Sequence, residues 1–192
     1  MQIKTFYCNP YRECTYILTA DERNENQATH PCLIIDPGMY GDREEQRVMK
    51  YLDEQRLVPE AVLITHKHPD HVCGLECLIQ KWPNIPILGL KFNTPENKDE
   101  VQEMAGLRFR ILETPGHKED SVCYWFEDEG IIFTGDTLFE GSIGRTDLPG
   151  GDMMEIIRSL NMLKTLPDNT IVYAGHGYPT TIGREKRENP YM

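Results

Sequence analysis

Two β-sheets packed against each other, with helices covering their outer sides, make up the α/β (α+β) class that this 192-residue sequence predicts. Three observations point there. Short strand-like runs pair through turn signals in both halves of the chain, segments of helical period stand between them, and polar residues follow the ends of apolar runs through Gly-containing turns. The length suits one domain with a substantial core and falls short of two. Residues 1–192 are therefore expected to form a single domain, with 178–192 as a short C-terminal tail.

Composition narrows the function classes. An apolar fraction of 39% and a charged fraction of 27% are those of a soluble globular protein. No window approaches the ~20 apolar residues of a membrane span, so no membrane partner is expected. Met1 to Tyr7 lacks the apolar core of a signal peptide, so a cytoplasmic location is expected. A net charge of −11 repels nucleic-acid phosphates and disfavours a metal-dependent nuclease. The six cysteines contain no C-x-x-C pair and read as reduced, mostly buried side chains.

Gln2 to Cys8, Thr15 to Ala20 and Cys32 to Asp36 read as strands, and the polar link Asp21 to His30 as an exposed hairpin loop. Asp42 to Gln55 reads as a helix, because Asp42 and Glu45 have capping-box spacing and Val48, Tyr51 and Leu52 form an apolar stripe. The strand Ala61 to Thr65 precedes a helix from about Asp70 to Trp82, which Pro83 ends. Ile85 to Gly89 is a short strand, and Thr94-Pro95-Glu96 opens a polar helix to about Met104. Leu107 to Leu112, Val122 to Phe126 and Ile131 to Thr134 are strands of one sheet, the last two joined by Asp128-Glu129-Gly130. Asp152 with Glu155 caps a helix through Leu163, and the last strand is Thr170 to Ala174.

The segment Thr65-His66-Lys67-His68-Pro69-Asp70-His71 reads H-x-H-x-D-H, four metal-ligand types in six positions. Side chains two apart share a face only in extended backbone, so His66 and His68 converge on one ion only if this segment is strand-like. Pro69 enforces that on His68 and is suited to open a helix, which turns Asp70 and His71 towards a second centre. His117, Asp136 and His176 each follow a strand through a Gly. Seven candidate ligands are too many for one catalytic ion, which takes about three protein ligands plus water. Two divalent ions ~3.5–4 Å apart use them all: His66, His68 and His117 at one, Asp70, His71 and His176 at the other, Asp136 between. Zinc is the first choice of metal, with iron or manganese as alternatives. Asp36 reads either as the acceptor of a ligand histidine's free ring N–H or as an ordinary turn residue before Pro37-Gly38.

With these motifs the chain resembles the metallo-β-lactamase superfamily from Asp36 to Gly177. That resemblance implies a four-layer αββα sandwich of two mixed sheets with the metals at one edge. Gly135-Asp136-Thr137-Leu138-Phe139 and Gly144-Arg145-Thr146-Asp147 look like the glyoxalase II group, hydrolases of S-acylglutathione thioesters, particularly its short bacterial members. By resemblance, Arg145 holds the glutathione moiety and Tyr178 contacts substrate, although Arg145 also reads as an ordinary surface salt bridge. Two departures weaken the case for glutathione: Asp147 stands where longer enzymes have an aromatic residue, and no separate glutathione-binding domain is expected after His176. A class B β-lactamase is expected to carry Cys where Asp136 stands, and a diiron flavoprotein oxidase Glu where His68 stands.

The expected activity is hydrolysis of a small-molecule thioester by a metal-activated hydroxide, with Asp70 helping to orient it. A thiolate leaves without a strong general acid. The alternatives are an oxidoreductase resembling persulfide dioxygenase, with one iron on His66, His117 and Asp136, and a lactonase or other ester hydrolase at the same site.

Overall fold

Strands β1 (Gln2–Cys8), β2 (Glu13–Thr19), β3 (His30–Ile35), β4 (Leu57–Leu63) and β5 (Ile87–Leu88) form the first sheet in that order. Its first two pairings are antiparallel and its last two parallel. The computed structural model describes residues 1–21, 27–89 and 100–192. The second sheet contains β6 (Gln102–Met104), β7 (Leu107–Glu113), β8 (Val122–Phe126), β9 (Ile131–Gly135), β12 (Ile171–Ala174) and β13 (Thr180–Thr181). Their order is β13-β12-β9-β8-β7-β6, with β9 and β12 parallel. A separate hairpin, β10 (Leu138–Phe139) and β11 (Ser142–Ile143), follows β9.

The apolar runs are near-continuous because both faces of each sheet are covered. Along β2, β3 and β4 the residues Tyr16, Leu18, Leu33, Ile35, Ala61 and Leu63 point inward, meeting Phe109, Tyr124, Phe126 and Phe133 of the second sheet. The alternate residues Ile17, Ile34 and Val62 face out, towards helices α1 (Asp42–Glu54) and α3 (Leu75–Lys81). On the far side Ile132 and Val172 pack under α4 (Met153–Leu163) and α5 (Ile182–Glu188). The order of layers is helix, sheet, sheet, helix, as the resemblance implied.

Several local expectations need correction. Helix α1 is capped by Gly41 with no side-chain cap. Its first-turn Glu44 instead accepts the N–H groups of Asn9 and Tyr40, both at 2.8 Å, so that carboxylate ties two loops together. Asp152 does cap α4, accepting from Met154 and Glu155. The helix expected from Asp70 to Trp82 is two, α2 (Pro69–Val72) and α3, broken at Gly74. A Cβ at Gly74 would lie 2.7 Å from Met39 Cε and 2.9 Å from the Pro37 carbonyl oxygen, so the chain turns where only glycine fits. The opening of the helix expected at Thr94 lies outside the described residues, as does 22–26 of the expected hairpin loop. Gln102–Met104, its expected end, is strand paired with β7. The segment beyond Tyr178 is not a solvated tail, since Ile182, Glu185 and Asn189 are buried against the second sheet and its hairpin.

Candidate metal centre

Strand directions bring the sequence-predicted ligands together. The C-terminal ends of β3, β4, β7, β9 and β12 deliver Asp36, the His66 segment, His117, Asp136 and His176 to one edge of the sandwich. The two sheets are joined there directly: Cys14 donates its N–H to the Gly175 carbonyl, and Val122 to that of Thr65, both at 2.8 Å. Gly135 permits this approach, because its φ is +49° and a Cβ there would meet Thr65 Oγ1 at 2.3 Å.

Two ligand groups result. Nδ1 of His68 stands 3.0 Å from His66 Nε2 and 2.8 Å from His117 Nε2. The backbone of His68 is extended (φ −67°, ψ 144°) and Pro69 begins α2. On the other side, Asp70 Oδ2 lies 3.4 Å from His176 Nε2 and 4.0 Å from His71 Nε2. Asp136 faces both groups, with Oδ2 at 3.5 Å from His117 Nε2 and 3.7 Å from His176 Nε2, and Oδ1 at 3.4 Å from His71 Nε2. The ligand atoms of His66, His68 and His117 lie within 4.8 Å of one another, as do those of Asp70, His71 and His176. All seven are atoms of types that bind divalent metals.

In His66, His71, His117 and His176 the other ring nitrogen is occupied, which aims Nε2 inward. His117 Nδ1 donates to the Arg145 carbonyl at 2.8 Å and His176 Nδ1 to that of Tyr11 at 3.1 Å. His71 Nδ1 donates to Asp36 Oδ2 at 2.9 Å. The same carboxylate accepts the N–H and the hydroxyl of Thr65, at 2.7 and 2.6 Å. That hydroxyl in turn faces His66 Nδ1 at 3.1 Å. One carboxylate therefore orients an imidazole of each group, His71 directly and His66 through Thr65. Asp36 is held at φ +46°, the left-handed region that few non-glycine residues occupy.

Charge is arranged around these contacts. Burial, with His71 adding to it, pushes His66 well below the usual histidine range. His71 moves the other way: burial opposes its charge, but Asp136 and Asp36 hold it well above that range. Burial would raise Asp136, yet the charge of His71, whose Nε2 lies 3.4 Å from its Oδ1, brings it down. The His176–Asp70 contact likewise outweighs burial, lowering Asp70 and raising His176. His71 Nε2 and Asp136 Oδ1 are nevertheless buried without a hydrogen-bond partner. Orphaned polar atoms of that kind are costly unless something occupies the space they face. Two divalent cations fit this donor set.

The sequence pattern of the metallo-beta-lactamase superfamily matches residues 27–93 and 85–176. The chain belongs to that superfamily. Hydroxyacylglutathione hydrolase GloC of Haemophilus influenzae is 31% identical over 219 residues, which cover 100% of this chain and 98% of that protein. The solved structure of the BLEG-1 B3 metallo-beta-lactamase superposes with a TM-score of 0.86 at 29% identity, covering 99% of each chain. That of ETHE1 from Myxococcus xanthus gives 0.84 at 30%, covering 99% of this chain and 84% of that one. Membership makes this a chain of the metallo-hydrolase superfamily and supports a metal-dependent enzyme.

Within the superfamily fold, the two residues expected to touch substrate lie outside the ligand groups. Arg145 is exposed and gripped by Asp147 through two hydrogen bonds, Nε to Oδ1 at 2.8 Å and Nη2 to Oδ2 at 2.7 Å. Tyr178 is 70% exposed, two residues beyond His176. Sequence reasoning assigned no role to Thr65 and missed Glu13. Glu13 is fully buried, its Oε2 accepts the Thr15 hydroxyl at 2.9 Å, and its Oε1 has no partner. It lies beside Asp36 and His71, and burial raises it well above the usual carboxylate range. The carbonyls of Arg145 and Tyr11 carry no sequence signal at all, since every residue has one.

Proposed function

We propose that this protein hydrolyses thioesters with two divalent metal ions, held by His66, His68 and His117 on one side and Asp70, His71 and His176 on the other. Asp136 is the carboxylate common to both. The observation that carries the reading is this meeting of two ligand groups on Asp136, whose oxygens lie 3.4–3.7 Å from imidazole nitrogens of both. When bound, such a pair of ions lowers the pKa of a water towards ~7 and polarises an acyl oxygen.

The chain's own residues do the rest. Asp36 and Thr65 fix the tautomers and planes of His71 and His66, so that each presents its Nε2 to the site. Asp70 lies on the edge of the site nearest His176 and is a carboxylate at neutral pH, suited to accept a proton from the attacking water and orient it. The thiol half of the substrate leaves as thiolate, so no protonated side chain is required opposite, and none of the seven groups is committed to that task. Water adds to the acyl carbon, the carbon–sulfur bond breaks, and the products are a carboxylic acid and a thiol. The relationship to GloC supports this choice of substrate class.

The second reading, a persulfide dioxygenase with one iron on His66, His117 and Asp136, is favoured by the likeness to ETHE1. A lactonase or other ester hydrolase would use the same groups. One paired assay separates the first two. Zinc-loaded protein is expected to cleave thioesters, with S-lactoylglutathione and the S-ethyl thioester of lactic acid as probes, without taking up oxygen. A cephalosporin control tests the BLEG-1 activity on the same sample. Rapid oxygen uptake by iron-loaded protein given glutathione persulfide, with no thioester cleaved in any metal form, would overturn the hydrolase reading.

A further inference from the structure

We infer that Asn9, at the tip of the β1–β2 hairpin, is a positioning residue for one ligand group only, that of Asp70, His71 and His176, so that filling of the second centre depends on this hairpin. The inference rests on the two-ion reading and deepens it. The tip is the turn Asn9-Pro10-Tyr11-Arg12, in which Arg12 donates its N–H to the Asn9 carbonyl at 3.1 Å and Pro10 supplies a fixed φ after the first residue. Asn9 itself has φ +50°, a left-handed conformation that asparagine tolerates better than most side chains.

Both ends of the Asn9 amide are used. Nδ2 donates to the Asp70 carbonyl at 2.9 Å and to the Gly38 carbonyl at 3.0 Å, while Oδ1 accepts the Tyr11 N–H at 3.0 Å. The first bond holds the backbone from which the Asp70 carboxylate projects. The last fixes Tyr11, whose carbonyl receives His176 Nδ1 at 3.1 Å. One side chain therefore reaches two of the three ligands of this group, and Asp36 holds the third, His71. Neighbouring contacts keep the tip in place. A Cβ at Gly38 would lie 2.2 Å from the Asp70 carbonyl oxygen, so the two segments that Asn9 joins are in direct contact. Glu44 of α1 accepts the Asn9 N–H at 2.8 Å, and on the returning strand Cys14 donates to the Gly175 carbonyl, one residue before His176. The first group takes its orientation from other segments, His117 from the Arg145 carbonyl and His66 from Thr65.

The test is zinc titration of the metal-free full chain. Asn9→Gly suits the positive φ and removes the side chain with little backbone strain, whereas Asn9→Asp keeps its size and the acceptor for Tyr11 but has no N–H for the two carbonyls. In both variants affinity for one of the two zinc ions is expected to fall ~10–100-fold, with the other unchanged. His176→Ala keeps the first group complete, so adding Asn9→Gly to it should leave the remaining affinity as it was. Arg47 donates to the Tyr7 carbonyl at 2.7 Å, at the base of the same hairpin, and Arg47→Ala should bind both ions like wild type. Weakening of both ions or of neither in the Asn9 variants, a further loss in the double variant, or a matching loss in Arg47→Ala would overturn the inference. A single ion in wild type would remove the two-ion assignment and the inference with it. Selective loss of one ion, with no thioester cleaved by wild type, would leave the inference standing and remove the thioester reading alone.

Discussion

The Asp36 carboxylate accepts three hydrogen bonds and through them reaches both ligand groups, which makes it and Thr65 separable by substitution. Replacing a group that orients a metal ligand costs ~10–100-fold in affinity or activity. Thr65→Val keeps the shape but cuts the link to His66, so metal affinity should fall about 10-fold at one centre only. Asp36→Ala removes the partner of both imidazoles and should weaken both centres, as metal titration of each variant would reveal. Equal losses in the two variants would mean that Thr65 serves more than His66. Glu13 gives a different kind of test, because its pKa is raised by burial rather than lowered by a partner. The unfolded chain releases that proton above ~4.3 while the folded protein keeps it. Folding is therefore unpenalised at low pH, and stability declines as pH rises from the unfolded value towards the folded one. Glu13→Gln mimics the protonated acid and removes this slope. Its Tm should match wild type near pH 4 and exceed it by a few °C at pH 8; parallel Tm curves across that range would refute the buried acid. The seven candidate ligands were legible because metal chemistry demands rare residue types in tight spacing. Glu13 was not, since a lone glutamate on a strand reads as solvated until Gly38 closes over it, with a Cβ position only 2.0 Å from Glu13 Oε2.

Helix α5 and the β10–β11 hairpin act as one unit. Glu185 is buried and accepts from Gly141 N at 2.8 Å, the Thr180 hydroxyl at 2.6 Å and Asn189 Nδ2 at 2.9 Å. Asn189 Nδ2 also donates to the Ser142 carbonyl at 3.0 Å, and Arg184 pairs with Glu140. The hairpin leads straight into Gly144 and Arg145, so this latch positions the backbone that holds His117. Glu185→Ala leaves three donors unpaired and should cost about 2–4 kcal/mol, a Tm loss of roughly 5–15 °C. Hydrogen exchange at Gly141 should accelerate more than exchange in β2, and uniform acceleration would show the latch to be ordinary packing. None of this was visible in the sequence, because α5 has only Ile182 as an apolar anchor and is fastened by polar contacts that no periodicity encodes. Long apolar strands were readable for the opposite reason, both of their faces being buried. Two-residue strands such as β10 and β11 carry too few positions for a period of two to register, and the break at Gly74 depends on Met39 and Pro37, far off in sequence.

At the scale of the whole molecule, the edge that carries the ligands is fastened independently of any ion. Tyr16 donates its hydroxyl to the Ala174 carbonyl at 2.6 Å and Tyr124 to that of Ile64 at 2.8 Å, across the two sheets. The Cys14–Gly175 and Val122–Thr65 backbone bonds add to these. Beneath them, Tyr16, Phe126, Phe133 and Tyr173 pack ring against ring at centroid distances of 5.0–5.7 Å. Free of metal, the site neutralises itself, His71 lying against Asp136 and His176 against Asp70. The fold should therefore survive metal removal while losing the stability that binding confers. An ion at 1,000 times its Kd contributes ~4.1 kcal/mol, and a chain of this length gains about 2–4 °C in Tm per kcal/mol. Protein purified without added metal is expected to carry close to two ions per chain. Chelation should leave its far-UV circular dichroism unchanged and lower its Tm by roughly 8–16 °C for each ion lost. His176→Ala should retain one ion and show about half the shift, because the His66, His68 and His117 group stays complete. Loss of the far-UV signal on chelation would mean that metal, rather than these inter-sheet contacts, holds the edge together. A single ion at saturation in both wild type and His176→Ala would place one metal where two are assigned.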